Sequence, residues 1–223
     1  MPARKFIRPA YVENLIHAVG YAEQIGAPLN AHYTVTWFAS EDENVRAYQT
    51  RLFERYQKWA KYRGFQAAYT WTLERSPKLG LHSHILLHVP PKTELRHELR
   101  HRMFKRWVTE ACGRWSGKMV RGRRIPRNLE PVRGEQRMTT TADLERRTLY
   151  LVKDVEPESE LASLLPFNRL RKRDDRGGLI QGKRIGTSRN IGAYARAVLA
   201  LGERHKAEAE AAADNTEEKQ GAR

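Results

Sequence analysis

The stretch AAYTWTLERSPKLGLHSHILLHV, residues 67–89, decides the fold. Over 67–74 the residues alternate, with Ala67, Tyr69, Trp71 and Leu73 on one side of an extended chain and Ala68, Thr70, Thr72 and Glu74 on the other. Over 81–89 they alternate again, with Leu81, Ser83, Ile85, Leu87 and Val89 set against His82, His84, Leu86 and His88. Ser76, Pro77, Lys78, Leu79 and Gly80 between them are turn residues, so the two runs predict an antiparallel hairpin. With the turn centred on Lys78, Glu74 falls opposite His82, and His84 lies one pleat further along the same face. A His-x-His pair on a strand is often no more than a polar face. A carboxylate in the facing position makes the three a ligand set suited to Mg²⁺ or Mn²⁺, with substrate oxygens and water completing the coordination.

Outward from the hairpin, Tyr33, Val35 and Trp37 alternate with Thr34 and Thr36, which predicts a strand over 32–38. Helical periodicity follows in Val45, Tyr48, Leu52, Tyr56, Trp59 and Ala60, stopping at Gly64. Upstream, Tyr11, Leu15, Val19 and Ala22 predict a helix over 9–26. Downstream, Thr93 caps a predicted helix carrying Leu95, Leu99, Met103, Trp107 and Ala111, with Gly113 at its end and Cys112 packed along it. A looser region, 118–138, is expected to hold a fourth strand near 128–133, and 141–154 reads as a helix. The order strand, helix, strand, strand, helix, strand, helix predicts an α+β fold of the ferredoxin-like, split βαβ kind. Its central antiparallel sheet would carry helices on one face and the active site on the other. The expected divisions are an N-terminal helical extension (1–29), a catalytic domain (30–160), a basic loop with a C-terminal helix (161–201), and a frayed helix passing into a disordered tail (202–223).

A second group is Tyr150-Leu151-Val152-Lys153. Residues three apart on a helix share a face, which would set a phenol beside an ammonium. A phenol, with a pKa of about 10, is a weak nucleophile near neutrality unless a cation favours its ionised form.

Together these segments resemble the HUH endonuclease superfamily, and within it the one-tyrosine initiators of rolling-circle replication. HYTVTWF at 32–38 is similar to that family's first strand motif, His82-Ser83-His84 to its HUH motif with Glu74 as the added ligand, and Tyr150 to Lys153 to its Tyr-x-x-Lys motif. The resemblance covers roughly residues 30–155 and departs at Ser83, where the family usually has an apolar residue. It implies that Glu74, His82 and His84 hold the metal. Tyr150 would attack a phosphodiester of single-stranded or hairpin DNA at a replication origin, leaving a 5′-phosphotyrosine link and a 3′-hydroxyl, and Lys153 would steady the charge. Host helicase or polymerase would be partners, and a plasmid or phage in a bacterial cytoplasm the setting. A transposase or relaxase would share the chemistry, although relaxases usually place the tyrosine near the N-terminus and use three histidines.

The charge agrees with a polyanionic partner. The 223 residues carry 41 Lys plus Arg against 26 Asp plus Glu, a formal charge of +15. Basic residues cluster from Arg96 to Arg127, and Arg100, Lys105, Arg106, Arg121, Arg123, Arg124, Lys183 and Arg184 are expected to contact DNA phosphates. The same charge also suits a non-catalytic DNA- or RNA-binding protein. One cysteine excludes an internal disulfide and a multi-cysteine zinc site. No apolar run approaches a membrane span of roughly 20 residues. Gly177-x4-Gly182-Lys183 nearly spells a phosphate-binding loop, but Arg184 stands where Ser or Thr would be needed, so no nucleotide cofactor is expected. His97 and His101 read as solvated residues rather than partners of His88 in a zinc site. Tyr194, with Ile191, Val198 and Leu201, is expected to pack in the core.

Overall fold

Strands and helices follow the expected order. In a computed structural model describing residues 3–37, 42–77, 79–90, 103–113, 119–123, 136–164 and 178–221, β1 (Ala3–Arg4) and α1 (Pro9–Gln24) precede β2 (Leu29–Thr36), α2 (Asp42–Tyr62), β3 (Tyr69–Ser76) and β4 (Gly80–His88). Then come α3 (Phe104–Cys112), β5 (Val120–Arg123), α4 (Gln136–Leu151) and α5 (Glu160–Leu164). The chain ends with β6 (Ile180–Gln181), β7 (Ile185–Thr187), a 3-10 turn (Arg189–Ile191) and α6 (Ala193–Gly221).

The hairpin forms in the expected register, with Glu74 opposite His82 and Thr72 opposite His84. Gly80 closes the turn at φ 62°, a conformation that side chains with a Cβ rarely adopt, and the Leu79 N–H donates to Ser76 Oγ at 3.2 Å. The main sheet has the order β5-β2-β4-β3-β7, antiparallel throughout. β2 and β3 therefore run in the same direction with β4 inserted between them, which is the split βαβ arrangement. Among the described residues the strand beside β2 is β5; the 128–133 segment, where a fourth strand was expected, lies outside the described residues. The β5 sequence Val-Arg-Gly-Arg carries a single apolar residue, so no alternation marks it. β7 adds a fifth strand, and β1 pairs with β6 in a separate two-stranded ribbon.

One sheet face bears α2 and α3. Tyr33, Val35, Leu73, Leu81, Ile85 and Leu87 pack there with Leu52, Tyr56, Trp59, Phe104, Trp107 and Val108. Ser83 points into this core and is satisfied, because its Oγ accepts from Trp37 Nε1 at 2.6 Å and from Gln49 Nε2 at 2.8 Å. The other face is divided. Ala68, Leu86 and Ile185 are covered by Val12, Leu15 and Val19 of α1 and by Leu151, Val152 and Val155 at the end of α4. The rest of that face carries Glu74, His82 and His84. It is less open than expected because Leu86 alternates in phase with the two histidines, and an apolar half-face must find an apolar cover. α1 supplies it.

One other expectation fails. Tyr194 is 82% exposed, since the turn before α6 buries Ile191 instead. A helix runs from Ala193 to Gly221, through the Ala, Glu and Lys stretch where a frayed helix passing into a disordered tail was expected. No helix among the described residues is long and apolar enough to cross a membrane.

Candidate active site

Strand pairing alone brings three ligand atoms together. His82 Nε2 lies 3.4 Å and His84 Nε2 3.5 Å from the same carboxylate oxygen, Glu74 Oε2. Ligand atoms of the three residues all fall within 4.8 Å of one another, and all three residues are buried. Each imidazole is held from behind: His82 Nδ1 is 3.0 Å from the Gly80 carbonyl, and His84 Nδ1 is 3.1 Å from Thr34 Oγ1. When Nδ1 carries the proton and donates it to these oxygens, both Nε2 atoms offer lone pairs toward Glu74. His84 Nε2 is buried with no hydrogen-bond partner. An orphaned imidazole nitrogen facing a carboxylate and a second imidazole is a donor set that a divalent cation could occupy.

Burial works against ionisation of Glu74, but the Lys153 ammonium and then the two imidazoles outweigh it and hold the carboxyl well below its usual range. Burial is also the largest influence on His84 and lowers its pKa despite the opposing pull of Glu74. The Lys153 ammonium is lifted above its ordinary value, because Glu74 and then Asp154 outweigh the cost of burying it.

Helix α4 delivers Tyr150 to this face. Its ring stands edge-on to the His84 ring, with centroids 5.0 Å apart, and Tyr150 remains 39% exposed. The helix stops at Leu151, so Lys153 lies in a turn and not on the helix. The ammonium still reaches Tyr150, lying 4.3 Å from its ring centroid, and it donates to Glu74 Oε1. Lys153 thus joins the nucleophile candidate to the ligand set.

The expected DNA contacts scatter. Arg121 and Arg123 occupy register positions opposite Thr34 and His32, on the strand rows shared with His84 and Leu86. Lys183 is exposed in the turn between β6 and β7. Lys105 and Arg106 are on α3, which packs on the opposite sheet face, and Arg106 pairs with Glu110 at 2.7 Å. Arg184 lies in the same turn as Lys183, directly before β7. Its side chain is 3% exposed and bound within the chain, so it is unavailable to DNA. Arg100 and Arg124 lie outside the described residues, as do His97 and His101, while His88 Nδ1 is 2.8 Å from the Pro28 carbonyl. Sequence reasoning missed Thr34, Asp154 and the true place of Arg184. Thr34 was legible only as a polar strand position, and nothing local marked Arg184 as buried.

No family model matches the chain, and no curated protein matches its sequence. Among solved structures, the N-terminal nuclease domain of minute virus of mice non-structural protein-1 aligns with 54% of this chain and 76% of its own, at 8% identity and a TM-score of 0.29. That domain is described with Zn²⁺ coordination in its active-site pocket and with DNA recognition at an origin of replication. A TM-score this low carries no argument about the present chain.

Proposed function

We propose that the chain is a metal-dependent DNA-nicking and strand-joining enzyme of the HUH type, with Tyr150 as nucleophile. The observation that carries this reading is one cluster: Glu74 Oε2, His82 Nε2 and His84 Nε2 converge, and the Tyr150 ring lies 5.0 Å from that of His84. Glu74, His82 and His84 would hold Mg²⁺ or Mn²⁺, which supplies Lewis-acid polarisation of a phosphodiester. The Tyr150 oxygen attacks phosphorus as the phenolic proton leaves. A P–O bond to tyrosine forms, the P–O3′ bond breaks, and the departing 3′-oxygen takes up a proton. The products are a 5′-phosphotyrosine and a 3′-hydroxyl, and a later 3′-hydroxyl reverses the step. Lys153 stays cationic at neutral pH and offsets negative charge gathering on the phenolic oxygen and the phosphate. Tyr150 is exposed enough for a single strand to reach. Arg121 and Arg123 on β5, with Lys183, are the proposed phosphate contacts. Initiation of rolling-circle replication at a plasmid or phage origin, in a host cytoplasm, is the setting that best suits reversible nicking with no nucleotide cofactor.

The test is a covalent-adduct assay. The chain is mixed with Mn²⁺ and single-stranded origin-proximal DNA and run on a denaturing gel. A shifted band is expected in wild type and absent with Tyr150→Phe or EDTA. A band that persists in Tyr150→Phe refutes the assignment. No band with any origin-proximal strand favours a non-catalytic nucleic-acid-binding protein.

A further inference from the structure

Tyr150 and Lys153 approach the Glu74 group from the end of α4, a separate element from β3 and β4. Helix α4 has already ended at Leu151, and the backbone after it turns, with the Val155 N–H donating to the Val152 carbonyl at 3.1 Å. Yet the nucleophile and its lysine must keep a fixed distance from ligands on β3 and β4. One buried guanidinium spans that gap. Arg184 Nη2 pairs with Asp154 Oδ2 at 3.0 Å, and Asp154 directly follows Lys153. The same group's Nε donates to the carbonyl of Leu73, the residue before Glu74, at 3.4 Å. The Arg184 backbone carbonyl accepts from the Leu73 N–H at 2.6 Å, and Nη1 donates to the Lys5 carbonyl. The N-terminal segment completes the attachment: the Ile7 N–H donates to the Asp154 carbonyl at 2.8 Å, and the Glu156 N–H donates to the Ile7 carbonyl at 3.0 Å.

We infer that Arg184 is a positioning residue that, through Asp154, sets the separation between Tyr150 and the Glu74–His82–His84 group. This rests on the proposed function of that site. Three physical points support it. A planar fork fixes direction as well as distance, which an apolar side chain or a lysine does not. Burying a guanidinium is costly, and packing alone would be served as well by an apolar residue of similar size. By occupying Asp154, Arg184 also leaves Lys153 to Glu74 and Tyr150, although Asp154 sits beside Lys153 in sequence and attracts it.

The test uses Asp154→Asn, which keeps size while removing charge, with Arg184→Lys as a second variant. Chains labelled with 3-fluorotyrosine at position 150 are titrated with Mn²⁺. The measurements are Mn²⁺ affinity by calorimetry, oligonucleotide affinity, the single-turnover rate of adduct formation, and broadening of the ¹⁹F resonance by Mn²⁺. A displacement of about 1 Å costs on the order of 100-fold in rate. Both variants are therefore expected to lose about that factor in rate and to show altered ¹⁹F broadening, with both affinities within about threefold of wild type. A folded Asp154→Asn chain with wild-type rate and broadening overturns the inference. Loss of Mn²⁺ binding in step with rate also overturns it, because the role would then be support of the ligand strand. Should Arg184→Lys fail to fold, Asp154→Asn decides. If wild type itself forms no adduct and Mn²⁺ leaves its resonance unbroadened, the reading of the site fails and this inference falls with it. If wild type passes both, only the positioning role is in question.

Discussion

A histidine binds a metal through the nitrogen that carries no proton, so the group behind the ring decides how often that nitrogen is ready. For His82 the group is a backbone carbonyl, which only accepts and so enforces one tautomer. For His84 it is the Thr34 hydroxyl, which can donate or accept. Thr34→Val removes that control at nearly constant volume. Mn²⁺ affinity is expected to fall about 10- to 100-fold, as is usual for lost outer-shell partners, while Thr34→Ser keeps it. Calorimetric titration reads the difference, and unchanged affinity in Thr34→Val would show the bond to be incidental. At this scale the cluster was legible and its support was not. Glu74, His82 and His84 follow from a two-residue period and one turn, all within a short segment. Thr34 reaches His84 only through the pairing of β2 with β4, a long-range register that no local pattern encodes.

Elements read well where their evidence was local. Both hairpin strands and the helical stripe of α1 are periodic in the sequence. What α1 covers was not visible, because an apolar stripe specifies that it must be buried and not against what. It covers the half of the second face where Leu86 and Ile185 would otherwise meet water. Leu15 is fully buried in that contact. Leu15→Ala is expected to cost about 2–5 kcal/mol by urea unfolding, the range for an emptied leucine site. A loss below about 1 kcal/mol would mean that α1 is a loosely held appendage. β7 escaped notice for a related reason. Three residues, Ile-Gly-Thr, are too few for a periodic signal, and the glycine, an ordinary turn residue in sequence, serves packing here. A Cβ on Gly186 would lie 2.7 Å from Trp71 Nε1, so the strand approaches β3 only because the side chain is absent.

For the whole molecule, the buried charges of the site set a dependence on pH. His84 has a lowered pKa, so below its ordinary 6.5 the unfolded chain takes up a proton that the folded chain resists, and stability falls with pH. Glu74 is also lowered, so its contribution is present above the ordinary 4.5 and is lost as pH falls through its folded value. Lys153 is raised, so its contribution is complete below 10.5 and disappears only in strong alkali. In EDTA, the melting temperature is expected to hold near neutrality, decline below about pH 6.5, and decline more steeply below about pH 4.5. Thermal scans from pH 8 to 4 read this, and a flat profile would contradict it. The net charge of +15 read from composition bears on which partners approach and not on this balance, which depends on groups the fold has taken out of water.

The contacts of Arg184 also bear on the order in which the proposed site would assemble. Glu74, His82 and His84 sit on neighbouring strands of one hairpin and meet by closing a short turn. Arg184 must cross 111 positions of chain to reach Leu73, and closing so long a loop carries a larger entropic cost. On the proposed reading, a grip on metal would come within reach on local contacts alone, while the spacing of Tyr150 from that cluster would wait for β7 to dock. On that reading, such a chain would bind its ion before it could break a strand.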